Sequence, residues 1–432
     1  MTTITSQKSA APVGPRRLTL GRRHLYAVIF ILLGAALSSN ANLHTPETRT
    51  TFTFGAQDGL DPVVVSTQAF LWAAASICVG VGAFSLFARE SVRRWIAPVA
   101  GAGAFVVLLS LLVIGAAGKM TDASTLIRSS FQLATPIMIG ALAGIWCERS
   151  GVINIAIEGM MLVGACFGFW VLYYLRLAVP ADQYGVALTV GVIVAVLGGG
   201  LMALLHAWLS IRFAIDQIIS GTVINILAAG VTAFIRREYL ASTEAGLDRL
   251  PAFSIPILKD IPLIGNIFTN GQPIFYLMFV LLIGSHVVLF YTRWGLRTRA
   301  IGEKPSAADT LGINVNRMRW TNVFIAGLIA GLGGAWFSLE VTGTFTEGMT
   351  RGSGFIALAA MIFGNWTPFG AFGGALLFGF SDALGLRFQI LDVPVPYQFL
   401  QMVPYIITLV VLAGLVGRAQ APKAIGVPYK KE

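Results

Sequence analysis

The sequence predicts an all-α protein, a polytopic bundle of about ten to eleven transmembrane segments with broken helices among them. Three observations carry that prediction. Of the 432 residues 56% are hydrophobic and 12% charged, far from the balance of a soluble globular domain. Apolar runs of helical length follow one another with no charged stretch long enough to build a soluble domain between them. Lys and Arg crowd into the short loops beside those runs, so the formal charge of +10 reads as the positive-inside bias of a membrane protein and not as a nucleic-acid surface.

Residues 1–24 form a basic tail ending in Arg22, Arg23 and His24, which holds the N-terminus in the cytoplasm ahead of a first span from Leu25 to Ser38. Ser39-Asn40-Ala41 would also suit signal-peptide cleavage, but the helices of a multispanning chain direct their own insertion, so the span is retained. A loop from Asn42 to Asp61 lies outside. A second span, Val63 to Phe87, precedes the basic turn of Arg89, Arg93 and Arg94, and a third runs from Ile96 to Ala117. Residues 25–118 are therefore additional N-terminal spans ahead of a transport core at 119–417, and residues 418–432 are a cytoplasmic tail.

In the core, Phe131 to Trp146 and Ile155 to Leu175 flank a polar interruption, Glu148-Arg149-Ser150-Gly151-Val152-Ile153-Asn154-Ile155-Ala156-Ile157-Glu158-Gly159-Met160-Met161. Charges and non-helical backbone at membrane depth persist only where protein or a water-filled cavity surrounds them. The stretch is short and alternates apolar with polar residues, so it reads as a buried break with a functional role, not an ordinary loop. Spans from Val186 to Leu209, Ile215 to Ile235, Ile274 to Tyr291 and Val323 to Val341 follow, and Ala241 to Gln272 is too polar and Pro-interrupted to cross. Gly354 to Phe380 reads as a hairpin turning at Asn365 to Gly370, because a single crossing would leave the basic C-terminus outside; a last span covers Phe399 to Val416. The two polar interruptions share a pattern that fits either an inverted repeat or common composition.

The polar stretch resembles the signature of nucleoside-type permease subunits of bacterial ABC importers, within the wider branched-chain amino acid and ribose permease group. The resemblance covers about Ile127 to about Arg418 and leaves the N-terminal spans unexplained. It implies an inner-membrane permease working with a second homologous permease subunit, separate ATP-binding subunits and an extracytoplasmic substrate-binding lipoprotein. Within the basic segment 293–320 it implies that Gly302, Glu303, Ala307, Ala308 and Gly312 belong to a short helix coupling the permease to its ATPase. Ala307 and Ala308 suit a close contact and Gly312 a helix end, whereas Arg317 and Arg319 are expected at lipid headgroups.

No Gly-x-x-x-x-Gly-Lys-Ser/Thr sequence occurs, so ATP must be bound by another chain and no cofactor is expected here. Cys78, Cys147 and Cys166 lack CxxC spacing and His24, His44, His206 and His286 are scattered, so no metal site is expected. For a neutral nucleoside, aromatic faces and amides are the fitting side chains, and the substrate path is assigned to Phe131, Gln132, Asn154, Glu158, Asn225 and Trp366. An ion-coupled secondary transporter using Glu158, Asp216 and Glu340 is the alternative; a membrane-embedded transferase lacks the clustered acids or histidines it would need.

Overall fold

The computed structural model describes residues 22–54, 61–241, 247–256, 268–391 and 420–430, with 261, 265 and 402 as isolated positions. Among them, nine helices are long and apolar enough to cross a membrane, and two shorter apolar helices accompany them. The expected final span at Phe399 to Val416 lies outside the described residues.

Helices α1 (Arg22–Ala41), α2 (Thr67–Phe87) and α3 (Ile96–Gly115) form an N-terminal module around Phe30, Leu71 and Cys78. α1 and α2 approach closely because Gly faces backbone: a Cβ on Gly82 would stand 3.1 Å from the Ala27 carbonyl. The all-α expectation omits a small sheet. Strand β1 (Arg49–Thr53) pairs antiparallel with β2 (Val63–Ser66) and parallel with β3 (Met120–Asp122). Thr, Val and Phe in these short segments favour extended backbone, a signal masked in the sequence by the apolar runs beside them. β3 passes directly into α4, whose N-cap Asp122 accepts the N–H groups of Ser124 and Thr125, and Arg387 Nε donates to Thr121 Oγ1 at 2.8 Å. The sheet thus fastens the module to the core.

The core comprises α4 (Ala123–Glu148), α5 (Ile157–Ala178), α6 (Tyr184–Ala207), α7 (Gln217–Tyr239), α8 (Pro273–Tyr291), α9 (Arg293–Glu303), α10 (Pro305–Thr310), α11 (Val315–Ala335), α12 (Ser353–Phe363) and α13 (Pro368–Ile390). α11 begins well before the expected Val323, because Asn314 caps it by accepting the Arg317 N–H. α6 and α11 cross antiparallel with backbone touching backbone, Gly199 against Gly327 and Gly331. Each continues into a π-helical turn, Trp208–Arg212 and Trp336–Thr342, at opposite ends of the bundle.

α12 and α13 form the expected hairpin. Its turn uses positive φ at Asn365 (52°) and Trp366 (53°), and Thr367 caps α13 ahead of Pro368. This turn packs on the first polar interruption, since Arg149 Nε donates to the Trp366 carbonyl at 2.9 Å. The two interruptions therefore share one end of the bundle. An inverted repeat would place them at opposite ends, so their similarity is compositional; α6 and α11, antiparallel and both ending in π turns, are the pair with inverted geometry.

Candidate functional site

The polar interruption is buried, as expected, and its backbone is satisfied by side chains from neighbouring helices. Ser150, Asn154 and Ala156 have no exposed surface. Gln217 Oε1 accepts the Ile153 N–H at 2.7 Å, and His206 Nε2 donates to the Ile153 carbonyl at 2.8 Å. A neutral imidazole with its proton on Nε2 then accepts the Ser220 hydroxyl at Nδ1, 3.0 Å away. Asn225 donates to the Ile155 carbonyl and accepts the Gly159 N–H, bridging the break. Arg319, 1% exposed, donates through Nε to the Ser150 carbonyl at 3.1 Å. Each bond replaces one that a continuous helix would have made, which is how broken backbone survives without water. Asn154 differs: its Oδ1 has no partner among the described residues.

Two carboxylates complete the framework. Glu148 accepts the Trp366 indole N–H at 2.6 Å, joining the start of the interruption to the hairpin turn. Beside it burial, then the Arg299 guanidinium, lowers the pKa of Arg149, with Glu303 opposing. Glu158, in the first turn of α5, accepts the Thr350 hydroxyl at 2.6 Å and the N–H groups of Gly352 and Gly354 at 2.8 and 2.7 Å. One anion thus serves the N-termini of α5 and α12 together, where the helix dipoles favour negative charge. The contact lies well along the bundle from its Glu148 end, since α4 presents Gly140 to Ala357 and Gly144 to Met361.

Next to the segment that Glu158 holds lies a cavity of about 540 Å³ walled by α4, the end of α11, α12 and α13. Leu133, Pro136 and Ile137 line it from α4, and Trp336, Phe337 and Thr342 from the end of α11. Arg351 and Ser353 contribute at the start of α12, and Ser381, Asp382 and Gln389 from α13. Its size is that of small-molecule sites, and its lining mixes apolar with polar and charged side chains.

The family described as "Branched-chain amino acid transport system / permease component" matches residues 126–412. The chain belongs to this permease family. It is 42% identical over 318 residues to the guanosine ABC transporter permease protein NupQ of Bacillus subtilis, covering 71% of this chain and 97% of that protein. It is 39% identical over 304 residues to the nucleoside ABC transporter permease protein NupC of Lactococcus lactis, covering 69% and 94%. A second guanosine permease protein of Bacillus subtilis, NupP, is 27% identical over 299 residues, 66% of this chain and 80% of its own length. No solved structure matches. The family match begins at residue 126, so α1 to α3 and the sheet precede it.

The permease brings four of the six expected path residues together along the interruption: Asn154, Glu158, Asn225 and Trp366. Phe131 lies apart, in an aromatic cluster with Phe268, Phe279 and Phe372, and Gln132 is half-buried beside it on α4. None of the six lines the cavity. Sequence reading missed its polar residues because Ser381-Asp382 and Gln389 are short polar interruptions in a largely apolar helix. It also passed over His206 and Gln217; each is a polar residue at the edge of an apolar run, and that was the available signal.

The segment after α8 forms two short helices, α9 and α10, where the resemblance implied one. Gly312, at φ 80°, ends α10 in a Schellman motif: its N–H reaches the Asp309 carbonyl and that of Ile313 the Ala308 carbonyl. Glu303 and Ala307 are exposed. Ala308 is not available for a docking contact: it is 2% exposed and packs inward on Ile301, Val315 and Met318. Gly302 is also buried, and a Cβ there would collide with the Arg149 carbonyl, so α9 rests directly on the interruption. Arg319 is likewise corrected: it faces the protein, whereas Arg317 is exposed. The tail lies across the same end, with the Ala424 N–H on the Gly302 carbonyl, Gly426 on Gly151 and Arg319 Nη1 on the Val427 carbonyl.

Proposed function

We propose that the chain is the membrane-spanning subunit of an ATP-driven importer of nucleosides or related ribosides in the bacterial inner membrane. The observation that carries the reading is the 540 Å³ cavity between α4 and α11 to α13, lined by Arg351 and Ser353 on either side of the Gly352 that Glu158 holds, in a chain resembling nucleoside permeases. Substrate sites of transporters lie where discontinuous helices present their N-termini inside the bundle, and α5 and α12 do so here. In this reading Asn154, Glu158, Asn225 and Trp366 shape the path by fixing the interruption, while the Phe131 cluster with Gln132 supports the α4 wall.

Energy comes from a separate ATP-binding subunit docking on α9 and α10. The contact passes from the exposed edge, Glu303, Ala307 and the 81% exposed Leu311, through Gly302 to the backbone of residues 149–151. Such a rigid contact can make the ATPase state bias the core. A second homologous permease subunit and an extracytoplasmic binding lipoprotein complete the assembly; resemblance to two guanosine permease proteins of one organism supports two unlike permeases. The end carrying α9, α10 and the tail faces the cytoplasm.

Ion coupling is the weaker reading, because its three candidate carboxylates are engaged by backbone N–H groups. Glu158 serves α12, Asp216 caps α7, and Glu340 accepts the Ile274 and Phe275 N–H groups at the start of α8. The test is labelled-nucleoside uptake into vesicles holding the whole complex, with binding protein supplied. Uptake requiring ATP and abolished by an inactive ATPase is expected; uptake driven by a proton or sodium gradient without ATP would sink the proposal.

A further inference from the structure

The cavity contains two charged residues that the framework leaves unused, Arg351 at the approach to α12 and Asp382 on α13. Among the described residues no ion pair joins them. Both line the one cavity, from the two arms of the hairpin that turns at Asn365 and Trp366. Arg351 is held in place. Its φ of 48° is left-handed, and Thr350 and Gly352 on either side are both bonded to Glu158. A non-glycine residue in that region persists where its surroundings over-determine it.

A carboxylate only accepts hydrogen bonds and a guanidinium only donates them. The cavity therefore offers a solute one accepting and one donating group, with Trp336 and Phe337 providing aromatic faces from the end of α11. Resting on the nucleoside reading above, we propose that Asp382 and Arg351 read the edge of the base, Asp382 accepting a ring N–H and Arg351 donating to the adjacent carbonyl. The site then selects nucleosides whose base carries N–H beside C=O, the 6-oxopurine and uracil type. Adenine and cytosine present the reverse pattern, a ring lone pair beside an amino group. With the ribose holding the base in the same pose, carboxylate would face lone pair and guanidinium would face amine, leaving both protein groups unsatisfied.

Inosine and adenosine share their ribose and differ only at this edge, so they isolate the contact. Uptake of both is measured with the whole transporter and one binding protein throughout; comparing the inosine-to-adenosine ratio between variants cancels the binding protein's own preference. Asp382→Asn, which offers a donor as well as an acceptor, is expected to lower that ratio by about tenfold or more. Arg351→Gln, at an exposed position, is expected to lower it in the same direction and decides the matter if Asp382→Asn fails to assemble with the ATPase. A ratio unchanged in assembled variants, or parallel loss of both nucleosides, overturns the base-edge assignment. A wild type that takes up neither overturns the nucleoside reading itself.

Discussion

Glu158 is the residue whose replacement should most clearly separate support of the site from bulk packing. Its carboxylate accepts three hydrogen bonds, two from the first residues of α12, and no cation shares it among the described residues. Bonds to a charged acceptor contribute about 1.5–3 kcal/mol each, and an anion at a partly buried helix N-terminus adds up to about 2 kcal/mol. Glu158→Gln keeps one carbonyl for Thr350 and Gly352 but turns an amide N–H toward the Gly354 N–H, so it loses one bond and the charge. The expected cost is roughly 2–4 kcal/mol. Glu158→Ala strands all three donors and should cost roughly 4–6 kcal/mol. Gly354→Ala is the complementary perturbation, because its methyl would sit 2.5 Å from the Glu158 backbone nitrogen and force α12 off α5. Thermal unfolding of the purified permease and nucleoside uptake by the assembled transporter are the paired measurements. Melting temperature should fall in the order wild type, Gln, Ala, with uptake falling alongside. If Glu158→Gln matches wild type in both, the carboxylate does not brace the α5–α12 junction and the reasoning fails.

Arg319→Gln should destabilise the permease by about 3–5 kcal/mol, since it breaks buried charge-assisted bonds to the Ser150 and Val427 carbonyls, while Arg317→Gln at an exposed site should shift stability by less than about 0.5 kcal/mol; equal melting temperatures for the two variants would contradict the placement of Arg319. Ala307→Trp should abolish co-purification with the ATPase and leave the melting temperature intact, whereas Ala308→Trp should lower the melting temperature itself by overpacking the Ile301, Val315 and Met318 cluster. The reverse pattern would return the docking contact to Ala308. In a Cys-free background, a Cys at Leu247 should react from outside intact cells with a membrane-impermeant reagent, and one at Ile425 should not; labelling of Ile425→Cys would invert the assigned orientation.

Much of this permease is legible in one dimension. Helical segments in a membrane must satisfy their own backbone, so long apolar runs declare themselves, and the interruption at residues 148–158 stands out because charge and glycine at such depth require a reason. The hairpin at α12 and α13 followed from the side on which basic residues must lie, and the end of α10 at Gly312 from the one residue there that takes positive φ without strain.

Tertiary structure alone decided which side chains complete the interruption and where the cavity lies. His206, Gln217, Asn225 and Arg319 are far from residues 150–159 in sequence, and only the packing of α6, α7 and α11 brings their polar atoms within 2.7–3.1 Å of that backbone. Arg319 shows the limit most plainly. Beside Arg317 in a basic segment it reads as another headgroup contact, yet two steps along a helix turn a side chain to the far face, so one arginine meets solvent or lipid and the other is buried. The same holds for Ala307 and Ala308. Local sequence sets which residues are helical, but the face each presents depends on neighbours that no local pattern encodes.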